Sequence, residues 1–295
     1  KCIMCRRCET ACNILQTVGT LSGYKRGFDA VVAPANLKPL VETNCTFCGQ
    51  CVNVCPTAAL TEISYINDVW KAINDPNKKV IVQTAPAVRV GICEEFCLDH
   101  FDPSNTGKLV TGLRMLGFDA VFDTNFSADL TIMEEANEFI QRFTKGGRLP
   151  LLTSCCPGWI NFLEHNFPDL IDIPSTCKSP QQMFGAIAKT YYANKIGIAP
   201  KDLIVVSIMP CLAKKYEAGR EEFKRNNIPD VDYVLTTREL ATMFKEAGIN
   251  LHKLKPSEYD SPLGISTGAA VIFGVTGGVV EAALRTAYEW ITNEK

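Results

Sequence analysis

Histidine is scarce in this 295-residue chain: only His100, His165 and His252 occur, none at a spacing that brings two to one metal ion. That argues against a histidine-based metal centre and against a Cys–His nucleophile. Neither G-x-G-x-x-G nor G-x4-G-K-[ST] is present, so no motif supports nucleotide binding. The Gly-rich "GVTGGVVEAAL" precedes a helical pattern, but its spacing is wrong, and close backbone packing is the expected reason for it. Excess charge is missing too: a net charge of −2 offers no footprint for nucleic acid and no polybasic membrane anchor. Apolar runs break within about ten residues, short of the ~20 that cross a bilayer. Neither an initiator methionine nor a signal-peptide pattern opens the chain. It begins "KCIMC", inside a motif, and reads as cut from something longer. What remains is an ordinary soluble composition, 46% apolar and 21% charged. The length suits about two domains.

Cysteine, by contrast, is abundant, with fourteen residues. In a short secreted chain that would suggest disulfides, but here the spacing argues otherwise. "CIMCRRCETAC" places Cys2, Cys5, Cys8 and Cys12, and "CTFCGQCVNVCP" places Cys45, Cys48, Cys51 and Cys55. Both read C-x2-C-x2-C-x3-C, a spacing in which three thiolates wrap one cubane and the fourth reaches its neighbour. The expected [4Fe–4S] sets are Cys2, Cys5, Cys8 with Cys55, and Cys45, Cys48, Cys51 with Cys12. Zinc also favours paired CxxC thiols, but rarely uses a third close cysteine in this order. Asn13 stands where the second repeat has Pro56, which removes no ligand. Between the repeats, "LSGYKRGFDAVVAPAN" reads as an inserted hairpin or loop. Two adjacent clusters form an electron conduit.

From about residue 70 the pattern becomes strand–helix alternation. "KKVIVQTAP", "FDAVFDT", "LPLLTS" and "LIVVSIMP" read as short buried strands. Thr131 and Glu134 look like a capping box ahead of "EEANEFIQRF". Ser179 and Pro180 start a helix that Gly197 stops, and Thr236 with Glu239 start one that Gly248 stops. The alternation implies a largely parallel α/β sheet, whose chemistry collects beyond the carboxyl ends of its strands. "TAPAV", "TSCCPGW" and "IMPCLAKKYE" are expected there, turning Cys155, Cys156 and Cys211 to one crevice. On the helix near residues 131–143, Ile132, Ala136, Phe139, Ile140 and Phe143 form the apolar face. Glu135, Glu138 and Arg142 flank it, and spacing alone makes them a surface i,i+4 pairing.

"TSCCPGW" and "MPCLAKKYE", behind a two-cluster module, resemble the catalytic subunit of the [FeFe]-hydrogenases. "TIMEEANEF", "KSPQQ", "TTRELA" and "GVTGGVVEAALR" extend the resemblance over essentially the whole chain. It implies an α+β ferredoxin-like domain over residues 1–66. An α/β catalytic domain over 67–295 would follow, with largely parallel sheets flanked by helices and the site between two lobes. The implied cofactor is an H-cluster, a [4Fe–4S] cubane joined to a di-iron unit with CO, CN⁻ and a dithiolate. The implied reaction is H2 ⇌ 2H⁺ + 2e⁻. Adjacent thiols point in different directions, and the resemblance gives them different jobs. Cys156, with Cys211, ligates the cubane, and Cys155 passes protons at the di-iron unit. The implied proton path runs from Arg142 and Glu138 through Ser175 and Glu135 to Cys155. Lys214 would hydrogen-bond a cyanide ligand, and Pro86, Met209 and Phe273 would wall the pocket.

Some features depart from the family. Its third signature carries two more cubane cysteines, whereas no cysteine follows Cys211 here. Full cofactor binding therefore needs a longer chain or a partner, and truncation is the favoured explanation. Ala87 stands where relatives often have serine. Cys93 and Cys97 stand where glycine is common; spaced i,i+4, they could pair, but incidental thiols are the better reading. Cys177 reads as a small core residue. Two other readings of the same fold are a hydrogen-sensing homologue and a non-catalytic iron–sulfur carrier or assembly protein. H2 and protons are the expected substrates. Ferredoxin is the expected electron carrier, further electron-transfer subunits are plausible partners, and the cytoplasm is the expected compartment.

Overall fold

The computed structural model describes residues 1–294. It divides into two compact units, each discontinuous in sequence. The first joins Lys1–Ile63, Cys156–Asp172 and Cys211–Tyr216; the second holds Ser64–Cys155, Ile173–Pro210 and the chain from Glu217.

The first unit shows the cysteine repeat as a backbone repeat. Met4 and Phe47, each two residues after a leading cysteine, have positive φ, and so do Arg6 and Gly49, each just after the second cysteine. The short helices Arg7–Thr10 and Gln50–Asn53 then begin at equivalent positions. The inserted segment is an antiparallel hairpin, β1 (Leu21–Tyr24) against β2 (Val31–Pro34). Buried apolar residues here are few and mostly small: Ala11, Val18, Leu21, Ala33, Leu163 and Ala213.

In the second unit β3 (Lys79–Thr84), β4 (Ala120–Asp123), β5 (Leu203–Ile208) and a short β8 (Tyr233–Leu235) form one parallel sheet in the order β4-β3-β5-β8. A separate two-residue ribbon pairs β6 (Lys224–Arg225) with β7 (Ile228–Pro229). Strands β3 to β5 are mostly apolar and, apart from exposed Lys79 and half-buried Ile204, buried, as a sheet with helices on both faces requires. At the sheet's amino edge, Val80, Val121 and Val205 donate to the carboxylates of Asp119, Asp260 and Asp232, each at 2.7 Å. Chain direction across the sheet reverses between β3 and β5, which makes the carboxyl ends of that pair a switch point.

"LPLLTS" is not a strand. Pro150 has no N–H to give a ladder, Leu149 and Leu152 stay partly exposed, and pairing shrinks to one bridge, Leu152 with Pro174. The helix expected from Thr131 begins six residues earlier and runs Asn125–Lys145. Thr131 lies inside it, its hydroxyl donating to the Ser127 carbonyl at 2.9 Å rather than capping. The other helix starts are as expected. The Ser179 hydroxyl accepts from Gln182 N–H ahead of Pro180, and Thr236 with Glu239 form a capping box. In "GVTGG", Gly277 and Gly278 take φ of 91° and 50° at a helix start, and a Cβ on Gly277 would also stand 3.0 Å from Glu281 Cβ. Cys93 is buried, whereas Cys97 is exposed at the left-handed end of its helix. The two thiols therefore stand in different environments.

Candidate functional site

The structure brings N-terminal thiols together in two groups, Cys12 with Cys45, Cys48 and Cys51, and Cys8 with Cys5 and Cys2. Cys12, Cys45, Cys48 and Cys51 share one electrostatic neighbourhood: burial first, and then the neighbouring thiols, push Cys51 up to about 11 and raise Cys45. Burial, with Cys5 and Cys2 nearby, likewise raises Cys8. Cys55 behaves differently, since backbone amides of Leu60, Thr57 and Ala59 pull it down to about 7. The left-handed turns aim amides at sulfur: Met4 N–H donates to Cys2 Sγ and Phe47 N–H to Cys45 Sγ, each at 3.4 Å. No disulfide joins any of them. Crowded thiols of high pKa with inward N–H groups fit an iron–sulfur cluster, whose iron charge stabilises the thiolates. Among the described residues no three His, Cys, Asp or Glu side chains gather as a single-ion site.

The segments carrying Cys156 and Cys211 pack on the second of these loops. Asn161 Nδ2 donates to the Cys45 carbonyl at 2.8 Å, and Phe47 stacks on Tyr216 with centroids 4.3 Å apart. Gly49, at φ 77°, lies so close to Leu212 that a Cβ there would sit 2.4 Å from its Cδ1. Cys156 caps the Pro157–Asn166 helix, and a Cβ on Gly158 would stand 3.8 Å from Ala213 Cβ. Cys156, Cys211 and Lys214 thus belong to the same unit as the N-terminal thiols, while Cys155 belongs to the other. The unit boundary falls between the two adjacent cysteines.

In the second unit, Pro86 and Met209 follow β3 and β5 at the switch point. The ladder continues there from Ala85 N–H to Ile208 O at 3.0 Å and from Met209 N–H to Leu235 O at 2.8 Å. Phe273 packs with Ile132, Val279 and Ala282.

The helix Asn125–Lys145 carries the titratable residues. Glu135 is 2% exposed, and its Oε1 has no hydrogen-bond partner. Burial pushes its carboxyl up to about 7, against the Ser175 hydroxyl and the Ser154 backbone, which pull it down. One turn on, Glu138 accepts from Arg142 Nη2 at 2.6 Å on Oε1 and from Ser175 Oγ at 2.9 Å on Oε2. Burial would raise Glu138, but Ser175, the Thr176 amide and Arg142 together outweigh it and hold the carboxyl below its usual range. Arg142 also donates to the carbonyls of Ile173 at 2.9 Å and Pro174 at 2.8 Å. Spacing alone made this an exposed surface pair; instead Arg142 clamps the loop that holds Ser175. A carboxyl near 7 beside a hydroxyl and a carboxylate can move protons at neutral pH.

Sequence reasoning missed two members of this cluster. Thr176 donates to Glu138 Oε2 through both its amide, at 3.0 Å, and its hydroxyl, at 3.1 Å. Cys177, read as a small core residue, donates Sγ–H to the same oxygen at 3.6 Å. Burial and the nearby glutamates push that thiol up to about 12. The only sequence signal for either was position within two residues of Ser175.

Two family profiles match the chain: "Iron only hydrogenase large subunit, C-terminal domain" over residues 78–295 and "4Fe-4S dicluster domain" over residues 1–59. The chain is 61% identical to the NADP-reducing hydrogenase subunit HndD of Solidesulfovibrio fructosivorans, covering 100% of this chain and 51% of that protein. It is 46% identical to iron hydrogenase 1 of Clostridium pasteurianum, covering 99% and 51%. The chain therefore spans about half the length of these relatives. A more distant match, 32% identical over 83% of this chain and 54% of its own length, is cytosolic iron-sulfur assembly component 3 of Mus musculus. Among solved structures, the [FeFe]-hydrogenase HydA(deltaEFG) superposes with a TM-score of 0.69 at 52% identity, covering 77% of this chain and 57% of that one.

Proposed function

Since the chain belongs to the iron-only hydrogenase large-subunit family, we propose that it forms part of an [FeFe]-hydrogenase catalysing reversible oxidation of H2 to protons and electrons. Residues 1–66 act as the two-cluster ferredoxin-like domain and 67–295 as the catalytic domain. The observation that carries the reading is the hydrogen-bonded series Ser175–Glu138–Arg142, with Glu135 buried one helical turn before Glu138.

Cys156 and Cys211 are two ligands of the H-cluster cubane, and the remaining ligands come from outside this sequence. When bound, the H-cluster supplies the heterolytic cleavage of H2. Pro86, Met209 and Phe273 would be the residues that exclude water from the di-iron unit, and Lys214 would supply an N–H to a cyanide ligand. Cys155 takes the proton from the reacting site and passes it to Glu135. Glu135 hands it to Ser175 Oγ, and Ser175 delivers its own hydroxyl proton to Glu138. Cys45, Cys48, Cys51 and Cys12 would hold the cluster that receives electrons first, and Cys2, Cys5, Cys8 and Cys55 would hold the one that passes them outward. Packing of the Cys156 and Cys211 segments on the Cys45–Gly49 loop supports that order. A ferredoxin-like carrier in the cytoplasm is the proposed acceptor. No described helix is long and apolar enough to cross a membrane.

Likeness to an iron–sulfur assembly component supports a second reading, a non-catalytic role on the same fold. Infrared spectra of the anaerobically prepared protein decide between them. Bands from iron-bound CO and CN⁻, with H2-dependent dye reduction, are expected for the hydrogenase. In protein that carries all the cubane ligands, cubane clusters without those bands would overturn it. In a loaded enzyme, Cys155→Ala should cut turnover at least about 100-fold, the scale of a lost proton-transfer group, with iron content unchanged. Equal activity would refute the role of Cys155.

A further inference from the structure

We propose that the proton path ends at Thr176, whose hydroxyl connects Glu138 to solvent, and that Arg142 is a clamp rather than a relay. The inference rests on the relay reading above. A guanidinium keeps its proton at any working pH, so it can hold charge but cannot receive a proton from Glu138. Arg142 is moreover committed: it donates to Glu138 Oε1 and to the carbonyls of Ile173, Pro174 and, at 3.3 Å, Arg148. These bonds tie the loop to the helix. The loop is held on its other side by Ser175 N–H donating to Leu152 O at 2.7 Å and Ser154 Oγ donating to Cys177 O at 2.8 Å.

The proton arrives at Oε2, the oxygen away from Arg142's 2.6 Å bond. There Glu138 meets two hydroxyls of opposite exposure. Ser175 is buried and Thr176 exposed, with Oγ atoms 2.9 and 3.1 Å from Oε2. Cys177 N–H donates to Ser175 Oγ at 3.1 Å, which keeps that hydroxyl's hydrogen turned toward Glu138. Carboxyl and hydroxyl therefore alternate from interior to surface: Glu135, Ser175, Glu138, Thr176. In the last step the Thr176 hydroxyl turns toward water. Its oxygen accepts the Oε2 proton while its own proton passes to a solvent molecule. One O–H bond forms and one breaks at Thr176, and the Glu138 carboxylate is restored.

Two variants test this. Thr176→Val keeps the shape and removes the hydroxyl, and Thr176→Ser keeps the hydroxyl. In the cofactor-free protein, time-resolved infrared after a pH jump reads how fast the Glu138 carboxyl band appears, assigned by its loss in Glu138→Gln. Thr176→Val should slow that rise about tenfold, the low end for a lost proton-transfer group, and Thr176→Ser should not. In the loaded enzyme, Thr176→Val should lower kcat with KM unchanged and enlarge the solvent isotope effect. An unchanged rise time, or slowing equal in both variants, overturns the assignment. Absence of H2 turnover in the parent protein would instead defeat the hydrogenase reading, and the pH-jump result would still decide whether Thr176 is the outlet.

Discussion

Glu135 is a buried carboxyl, 2% exposed, with one oxygen unpartnered. Its pKa rises from an ordinary carboxylate value to about 7 chiefly because burial disfavours the anion. Folded protein then binds more protons than unfolded protein between those two values. Stability therefore falls as pH rises through that window and levels off above about 7. Glu135→Gln should remove that slope and stabilise the fold at pH 8 by on the order of 2 kcal/mol. Urea titrations of the parent and the variant at pH 5 and pH 8 read the difference. The same variant should lose about 100-fold in turnover, because an amide cannot relay a proton. Greater stability with lower activity would separate a functional carboxyl from a structural one.

At the scale of elements, local signals and tertiary packing divide the work. The Thr236–Glu239 box is complete, with each side chain accepting from the other's backbone N–H. Thr236→Ala should cost about 1 kcal/mol, seen as a lower denaturant midpoint with unchanged slope. Ser179 and Thr236 were legible because a cap needs only neighbours in sequence. The start at Asn125 was not: Asn125 and Ser127 are polar yet buried, with Asn125 N–H donating to Asp123 Oδ1 and Ser127 Oγ to the Thr124 carbonyl, while Asn125 Oδ1 has no hydrogen-bond partner. β8 is three residues long, too short to show a period, and takes its place only by pairing with β5. Gly49→Ala should loosen the second cluster loop, since its φ of 77° and the Leu212 contact both resist a Cβ. The expected loss is about 2 kcal/mol, measured as faster iron release to a chelator.

For the whole molecule, the two units differ in what holds them. The second has a continuous apolar core through Val80–Val82, Phe122, Phe184, Leu240 and Phe244. The first buries few large apolar side chains and gathers ten thiols instead, eight of them in the N-terminal repeats. Small folds of that kind draw their stability from metal. Removing iron with a chelator should therefore expose Lys1–Ile63 to protease while the second unit persists. Fragment masses after limited digestion would show it. Cuts appearing first among residues 79–155 or 217–263 would contradict the assignment.

The spacing of the N-terminal cysteines by itself determined their chemistry, because a C-x2-C-x2-C-x3-C run curls on local dihedral angles alone. Strands β3, β4 and β5 were likewise legible, as continuous apolar runs that only a covered sheet accommodates. Tertiary structure alone decided what Glu138 is. From its own helix it looked like half of a solvated ion pair. A loop some 37 residues further along brings Ser175, Thr176 and Cys177 onto its carboxylate. The same holds for the adjacent cysteines, Cys155 and Cys156, which fall in different units. Such convergence depends on where a distant backbone runs, and hydrophobic periodicity carries no record of that.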